Sequence, residues 1–392
     1  MYFTGKELPG EILSVLRYWV EEYHVDGFHL TGFPDLSLAA EDPFLKRTKL
    51  FAENWNEVMN RRPKQGYVTP GDGAVSVEEK NLAEYNMQFM EDMRRFLKGD
   101  EGMLSAFEFR NRRNPAEYAV IDYMANTNGF TLMDTVSYDR KHNEKTARRT
   151  GTEATTTIPG TAARKVRRER KKVVELRKQL LKNAYLLLFL SQGVPLLMAG
   201  DEFGNSQDGN NNAYCQDNAV SWLNWKLLET HKDQVDFVKR LIAFRKAHKM
   251  FHMDREPRIM DYKSCGRPDV SYHGENAWKP EFENFRRQFG ILYWGAYAKR
   301  PDGSDDANFY VAYNMHWEPH MFGLPHLPKG AKWRVICNTG DPNAADLLTD
   351  GTGEVPKNQM MLAVPPRGIV ILESFADPDR EKDAKKNLNR II

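Results

Sequence analysis

The sequence predicts an α/β fold built from parallel βα units, followed by an antiparallel β domain. Three observations lead there. Short, continuously apolar runs alternate with amphipathic helical stretches through residues 11–248. A polar cluster follows each apolar run. Beyond residue 252 the long helical patterns stop, and short strands alternate with Pro, Gly and Asp turns.

The elements can be taken in order. Residues 11–23 place Ile12, Val15, Leu16, Trp19 and Val20 on one helical face. Residues 24–30 (HVDGFHL) read as a short buried strand that runs into a Gly/Pro loop, and residues 49–52 (KLFA) as a second strand. Residues 86–97 form an amphipathic helix, residues 119–125 (AVIDYMA) a buried strand, and residues 172–190 a long helix. In the run 184–199, Gln192, Gly193 and Pro195 interrupt the apolar residues, so it reads as a buried helix end, a turn and a buried strand. A membrane span wants about 20 unbroken apolar residues. Residues 234–248 close this half with a helix. Strands buried on both faces read as continuous apolar runs, which is the parallel-sheet signature. The polar clusters Thr31 to Asp35, Glu53 to Asn56, Asn126 to Asn128 and Asp201 to Glu202 stand where a (β/α) barrel builds its site, at the carboxyl ends of the strands. Residues 290–297, 308–315, 332–337 and 368–373 are the expected strands of the second half. The resulting division is a (β/α) part over 1–252, a β domain over 253–375 and a charged tail over 376–392.

Composition narrows the classes. With 41% hydrophobic and 28% charged residues the balance is that of a globular protein, and a net charge of +2 argues for no polyanionic partner. The basic run 164–172 reads as the solvated start of the long helix and not as a nucleic-acid patch, after a small, polar loop over 146–163. Cys215, Cys265 and Cys337 are too sparse for a disulfide framework or a metal pair. Together with an N-terminus unlike a signal peptide, this makes the cytoplasm the expected compartment.

Several stretches then become recognisable: 18–28 (YWVEEYHVDGF), 51–56 (FAENWN), 129–143 (GFTLMDTVSYDRKHN), 191–204 (SQGVPLLMAGDEFG), 207–218 (QDGNNNAYCQDN), 269–274 (DVSYHG) and 364–372 (VPPRGIVIL). In order and spacing they resemble the isoamylase and glycogen-debranching branch of the α-amylase superfamily. The resemblance implies a partial (β/α)8 TIM-type barrel, roughly strands 4 to 8, followed by a C-terminal antiparallel β-sandwich domain. The earlier strands are not found in this chain, which leads to the expectation that a missing N-terminal segment or a partner chain completes the barrel.

The resemblance also implies a site. Retaining glycosidases need two carboxyl groups about 5 Å apart, one a nucleophile and one an acid/base. Glu53 stands at the acid/base position and is followed by Trp55, as in the family. The nucleophile belongs on an Asp-Gly-Phe-Arg-x-Asp strand, which here reads Asp26-Gly27-Phe28-His29-Leu30-Thr31. His29 replaces the orienting arginine, and Thr31 replaces the nucleophile. A threonine hydroxyl offers no resting anion, and Asp35, beyond a Gly and a Pro, has no reason to reach the same point. The third motif, His-Asp-Gly before Phe-Thr-Leu, reads Thr127-Asn128-Gly129-Phe130-Thr131-Leu132. Asn128 keeps the shape of the stabilising aspartate without its charge. His29, Trp55, Thr127 and Phe130 are the substrate-binding positions the resemblance implies.

Other constellations are weaker. Asp208, Asn210, Asn212 and Asp217 could bind Ca²⁺, but Ala213 breaks the EF-hand spacing, so a hydrogen-bonded loop beside the sugar site is expected, with no metal and no cofactor. HExxH, GxSxG and phosphate-loop motifs do not occur. Three readings follow: an α-glucan-recognising protein (glycogen or maltooligosaccharide) whose catalysis is impaired, an active α-1,6-glucosidic hydrolase, or a non-catalytic interaction protein. No nucleic acid or membrane partner is expected.

Overall fold

The computed structural model describes residues 9–33, 35–61, 80–143, 171–341 and 347–377. The loop 146–163, all but the last two residues of the basic run 164–172, and the tail beyond residue 377 lie outside the described residues.

Helix α1 (Pro9–Tyr23) leads into strand β1 (Gly27–Leu30), followed by α2 (Leu36–Glu41), β2 (Lys49–Ala52), α3 (Asn56–Arg61), β3 (Leu82–Tyr85), α4 (Met87–Lys98), α5 (Leu104–Arg112), β4 (Ala119–Tyr123), α6 (Leu132–Ser137), α7 (Lys171–Phe189), β5 (Val194–Leu196), α8 (Leu227–Thr230) and α9 (Lys232–Ala247). The five strands form one parallel sheet in the order β1-β2-β3-β4-β5. Local chemistry sets the boundaries. Asn86 caps α4 by accepting from Phe89 N at 3.1 Å, and Gly99, at φ 85°, ends it in a left-handed turn.

Among the described residues neither β1 nor β5 has a second neighbour, so the sheet is open at both edges. Two positions depart from the sequence reading. Trp19, expected on the buried face of α1, is 37% exposed: Ile12 and Leu16 are buried and Leu13 and Val20 pack against the core, while Trp19 lies at the margin of that face. Strand β5, expected to be buried, exposes Val194 to 37% at its open edge. By contrast β4, with a strand on each side, is buried throughout. Strand β3 was not legible as a strand because Glu84 interrupts its four residues; that carboxylate pairs with the Arg113 guanidinium.

Gly27 of the DGF motif is a close-approach residue. A side-chain carbon there would lie 2.5 Å from the Lys49 carbonyl oxygen across the β1–β2 seam. Gly27→Ala is expected to cost about 1–3 kcal/mol of stability. An unchanged urea midpoint would show that β1 is free to shift.

The second half contains β6 (Val270–His273), β7 (Gln288–Tyr293), β8 (Phe309–Asn314), β9 (His320–Gly323), β10 (Ala331–Asn338), β11 (Met361–Val364) and β12 (Gly368–Ala376). Five of these make an antiparallel sheet in the order β10-β12-β8-β7-β6, and β9 and β11 form a separate two-stranded ribbon. Among the described residues this half is therefore a five-stranded sheet with a two-stranded ribbon, where a sandwich was expected. The short strands β6, β9 and β11 were not legible from periodicity. Strand β7 stops before residue 297, where the chain turns at Gly295; a side-chain carbon there would collide with the Asp306 carbonyl oxygen at 1.9 Å.

One continuous core joins this sheet to α4, α5, α7 and α9. Phe96 stacks on Phe107 at 4.2 Å, Phe107 meets Tyr313 at 4.8 Å, and the Tyr293 hydroxyl donates to Asn111 Oδ1 at 3.0 Å. The antiparallel sheet thus braces the helices that hold the parallel strands.

Candidate functional site

Side chains alternate along a strand, and register partners in a parallel pair share a face. Leu30, Leu50, Ala52, Leu82 and Val120 point to the helix-covered face with Leu16, Ala39 and Val58. Phe51, Ala83, Tyr85, Ala119, Ile121 and Leu196 cluster on the opposite face. His29, the register partner of Phe51, belongs to that second face. Its ring lies 4.6 Å from Tyr85, and Tyr85 lies 4.6 Å from Tyr123.

Thr31 and Glu53 continue the same parity just beyond the ends of β1 and β2, and both are exposed. Thr127 and Asn128 are exposed on the loop after β4, where Asn128 N donates to Asn126 Oδ1 at 2.9 Å. The structure thus places all three positions, Thr31, Glu53 and Asn128, at the carboxyl end of one sheet. Burial pushes the Tyr123 hydroxyl well up, and the neighbouring Tyr85 adds to that. Asp35 is committed elsewhere. It caps α2 by accepting from Ser37 N at 3.0 Å and from the Ser37 hydroxyl.

Two expected substrate contacts are corrected. Trp55 is 0% exposed and donates from Nε1 to the Ala83 carbonyl at 2.9 Å. Phe130 is also 0% exposed, and its carbonyl accepts from Arg94 Nη2 at 3.4 Å. Neither presents a ring to a ligand. Both hold the site from behind. Tyr85, Tyr123 and Asn126 were missing from the sequence-derived site; Asn126 lay within a polar cluster, while Tyr85 sits on the unread strand β3.

The loop after β5 is tied by side-chain hydrogen bonds, one of them from Asn143 beyond α6. Asn143 Nδ2 donates to Asn211 Oδ1 at 2.8 Å, Asn212 N to Asn210 Oδ1 at 2.8 Å, and Trp222 Nε1 to Asp217 Oδ1 at 2.9 Å. Among the described residues no group of three or more His, Cys, Asp or Glu is arranged to hold a metal, and no helix is long and apolar enough to cross a membrane.

Buried acids lie behind the site. Burial pushes Asp134 up to about 6 against hydrogen bonds from Ser206 and Gln207 N, and Asp201 up to about 7 although Leu132 N donates to it. Asp122 is pushed up to about 8, again mainly by burial, with Asn86 Nδ2 donating to Oδ1 at 2.9 Å. A raised carboxyl is protonated in the fold and ionised when unfolded, so its contribution is full below the unfolded value near 4 and is lost as pH rises through 8. Stability is expected to fall by up to about 1.4 kcal/mol per pH unit over that window for this one proton. Asp122→Asn should flatten that part of the slope in urea titrations at pH 5, 6, 7 and 8; an equal slope in the variant would show that Asp122 is ionised in the fold.

Compared with known proteins, the chain is 27% identical to isoamylase 3 of rice chloroplasts (Oryza sativa subsp. japonica) over 393 residues, covering 93% of this chain and 45% of the relative. It is 35% identical to a glycogen debranching enzyme of Dickeya chrysanthemi over 364 residues, covering 83% and 51%. Among solved structures, the type I pullulanase of Bacillus subtilis str. 168, complexed with maltose, superposes with a TM-score of 0.59 at 18% identity, covering 94% of this chain and 46% of that one. No family model matches the chain. A parallel βα sheet with polar carboxyl-end loops, backed by an antiparallel sheet, is thus the fold this chain shares with the Bacillus subtilis pullulanase. Its curated relatives are isoamylases and glycogen debranching enzymes, the branch of the α-amylase superfamily that its motifs resemble. It spans about half the length of the curated relatives it matches.

Proposed function

We propose that this protein recognises α-glucan, of the glycogen or maltooligosaccharide type, at the carboxyl end of its parallel sheet, and that its hydrolytic step is impaired. One observation carries the reading. Of the three positions where the family places carboxylates, Thr31, Glu53 and Asn128, only Glu53 has one, and the nearest acid in sequence to Thr31, Asp35, is spent on capping α2. Double displacement needs a nucleophile and an acid/base, and here the acid/base stands alone. The five parallel strands correspond in this reading to roughly strands 4 to 8 of an eight-stranded barrel, and the open edges at β1 and β5 are where a further N-terminal segment or partner chain would add strands.

The test is paired. Calorimetric titration with maltotetraose should give saturable heat, while reducing-sugar release from glycogen should stay at background. Absence of heat with maltotetraose and with glycogen would overturn the recognition. The 35% identity to a debranching enzyme favours a second reading, an active α-1,6-glucosidic hydrolase with another nucleophile. Background-subtracted release that disappears in Glu53→Gln would select it.

A further inference from the structure

We infer that Trp222 and Trp225, carried by the loop that follows β5, are a stacking surface for α-glucan beyond the strand-end positions already described, and that they give the protein a preference for longer chains. The inference rests on the glucan-recognition reading above and extends it from a single sugar to a run of sugars.

Leaving a large apolar ring in water is unfavourable, so two indoles exposed on one short loop ask for a partner. Trp222 is 58% exposed and Trp225 is 62% exposed. Their backbone is held. Trp222 N donates to the Asn218 carbonyl at 3.1 Å, Asn224 N donates to Asn205 Oδ1 at 3.1 Å, and Leu228 N donates to the Trp225 carbonyl at 3.2 Å. The rings are held as well. Trp222 Nε1 donates to Asp217 Oδ1 at 2.9 Å, and the Trp225 ring packs on buried Phe203 with centroids 5.8 Å apart. Rings fixed before a ligand arrives lose little freedom when one stacks on them.

The loop leaves the carboxyl end of β5, the neighbour of β4 in the sheet. Asp201 Oδ1 accepts from Leu132 N at 2.9 Å, and Asp134 Oδ2 accepts from Gln207 N at 2.8 Å. Both bonds tie the loop to α6, the helix that follows the turn of Asn128, so the indoles belong to the same end of the sheet as Thr31, Glu53 and Asn128. Composition selects the partner. Residues 203–225 contain eight Asn or Gln and no Lys, Arg or Glu, and their only charges are Asp208 and Asp217. Asp217 is already engaged by Trp222. A surface of amides and indoles offers no countercharge to a polyanion or an acidic peptide. A glucan is uncharged, with apolar C–H faces for the indoles and hydroxyls for the amides. A chain longer than the sugars held at the strand ends is what reaches this loop.

The experiment is calorimetric titration of the full chain with maltotriose and with maltohexaose, with urea midpoints measured for every variant. The natural chain is expected to bind maltohexaose about tenfold more tightly than maltotriose. Trp222→Ala and Trp225→Ala should each raise the maltohexaose Kd about tenfold and move the maltotriose Kd by less than about threefold. Trp222→Phe keeps a ring and loses the bond to Asp217, so its loss should be smaller than that of the alanine variant. Trp317→Ala, which removes an exposed indole from the turn between β8 and β9, should leave both constants unchanged. Equal affinity of the natural chain for the two sugars, or an unchanged maltohexaose Kd in both loop variants, overturns the inference and leaves the glucan reading standing. Should the alanine variants fail to fold, acrylamide quenching of the natural chain decides. Saturating maltohexaose should reduce it, and unchanged quenching overturns the inference. If the natural chain gives no heat with either sugar, the glucan reading falls and this inference with it.

Discussion

Replacing Arg245 with methionine is expected to destabilise the protein by on the order of 4 kcal/mol, the largest effect of any single substitution away from the site. Arg245 of α9 is buried, and its guanidinium donates to the carbonyls of Phe189, Ser191 and Gly193 at 2.6 Å each and of Gln192 at 3.4 Å. These are the last carbonyls of α7 and the turn into β5, the acceptors a helix end leaves without partners. Methionine fills much of the volume and supplies no donor. The carbonyls would then be buried without compensation, at about 1–3 kcal/mol each before relaxation. Arg245→Lys should recover part of the loss, since one ammonium can reach some of these oxygens but cannot span them as a planar fork does. A urea midpoint for Arg245→Met within error of the natural chain would mean that water reaches the turn.

That turn shows why motifs can be legible in a sequence while their purpose is not. The stretch SQGVP stands out as a family signature, yet its side chains do structural work. Gln192 Nε2 donates to the Met250 carbonyl at 2.7 Å, and its Oε1 accepts from Met253 N at 2.9 Å. Gly193 is required because a side-chain carbon would lie 2.2 Å from Asp122 Oδ2. Likewise Asp269 of the DVSYHG stretch accepts from Arg258 N, Ile259 N and Val270 N. Nothing in a linear string separates an asparagine or aspartate that meets ligand from one that ties two backbone segments together. Burial makes the distinction, and burial depends on partners far away in sequence.

Strands differ in the same way. Strand β4 was readable because a parallel strand covered on both faces and both edges must be apolar throughout. Strand β3 carries Glu84, whose charge is tolerable only because Arg113 arrives from beyond α5, so its pattern misleads. Losing β3 meant losing Tyr85, and with it the aromatic row. The three positions at the carboxyl ends were readable because the neighbouring motif residues fix their register, and the structure places Thr31, Glu53 and Asn128 at one end of the sheet. Trp55 and Phe130 were misread because an aromatic beside a site is as often a wall behind it as a surface within it.

The second large effect is catalytic. On the proposed impaired-catalysis reading, Glu53→Gln in the natural chain is expected to leave reducing-sugar release unchanged, because on that reading Glu53 is an acid/base without a nucleophile opposite it, which contributes nothing measurable to a double displacement. In the variant Thr31→Asp/His29→Arg/Thr127→His/Asn128→Asp, release from glycogen should rise by about 10⁴-fold or more, the scale on which removing a covalent nucleophile acts in the other direction. The backbone is suited to the exchange. Thr31 and Glu53 sit at corresponding positions beyond adjacent strands in register, and the turn carrying Asn128 is anchored at Met124 and Leu132 whichever side chains it bears. Arginine at position 29 would exchange the ring contact with Tyr85 for a charge next to the new aspartate, holding that carboxylate ionised. Glu53→Gln added to this variant should abolish the gained activity, which separates true double displacement from contaminating hydrolase. If the variant binds maltotetraose and still releases nothing, the four substitutions are not by themselves what silences the site.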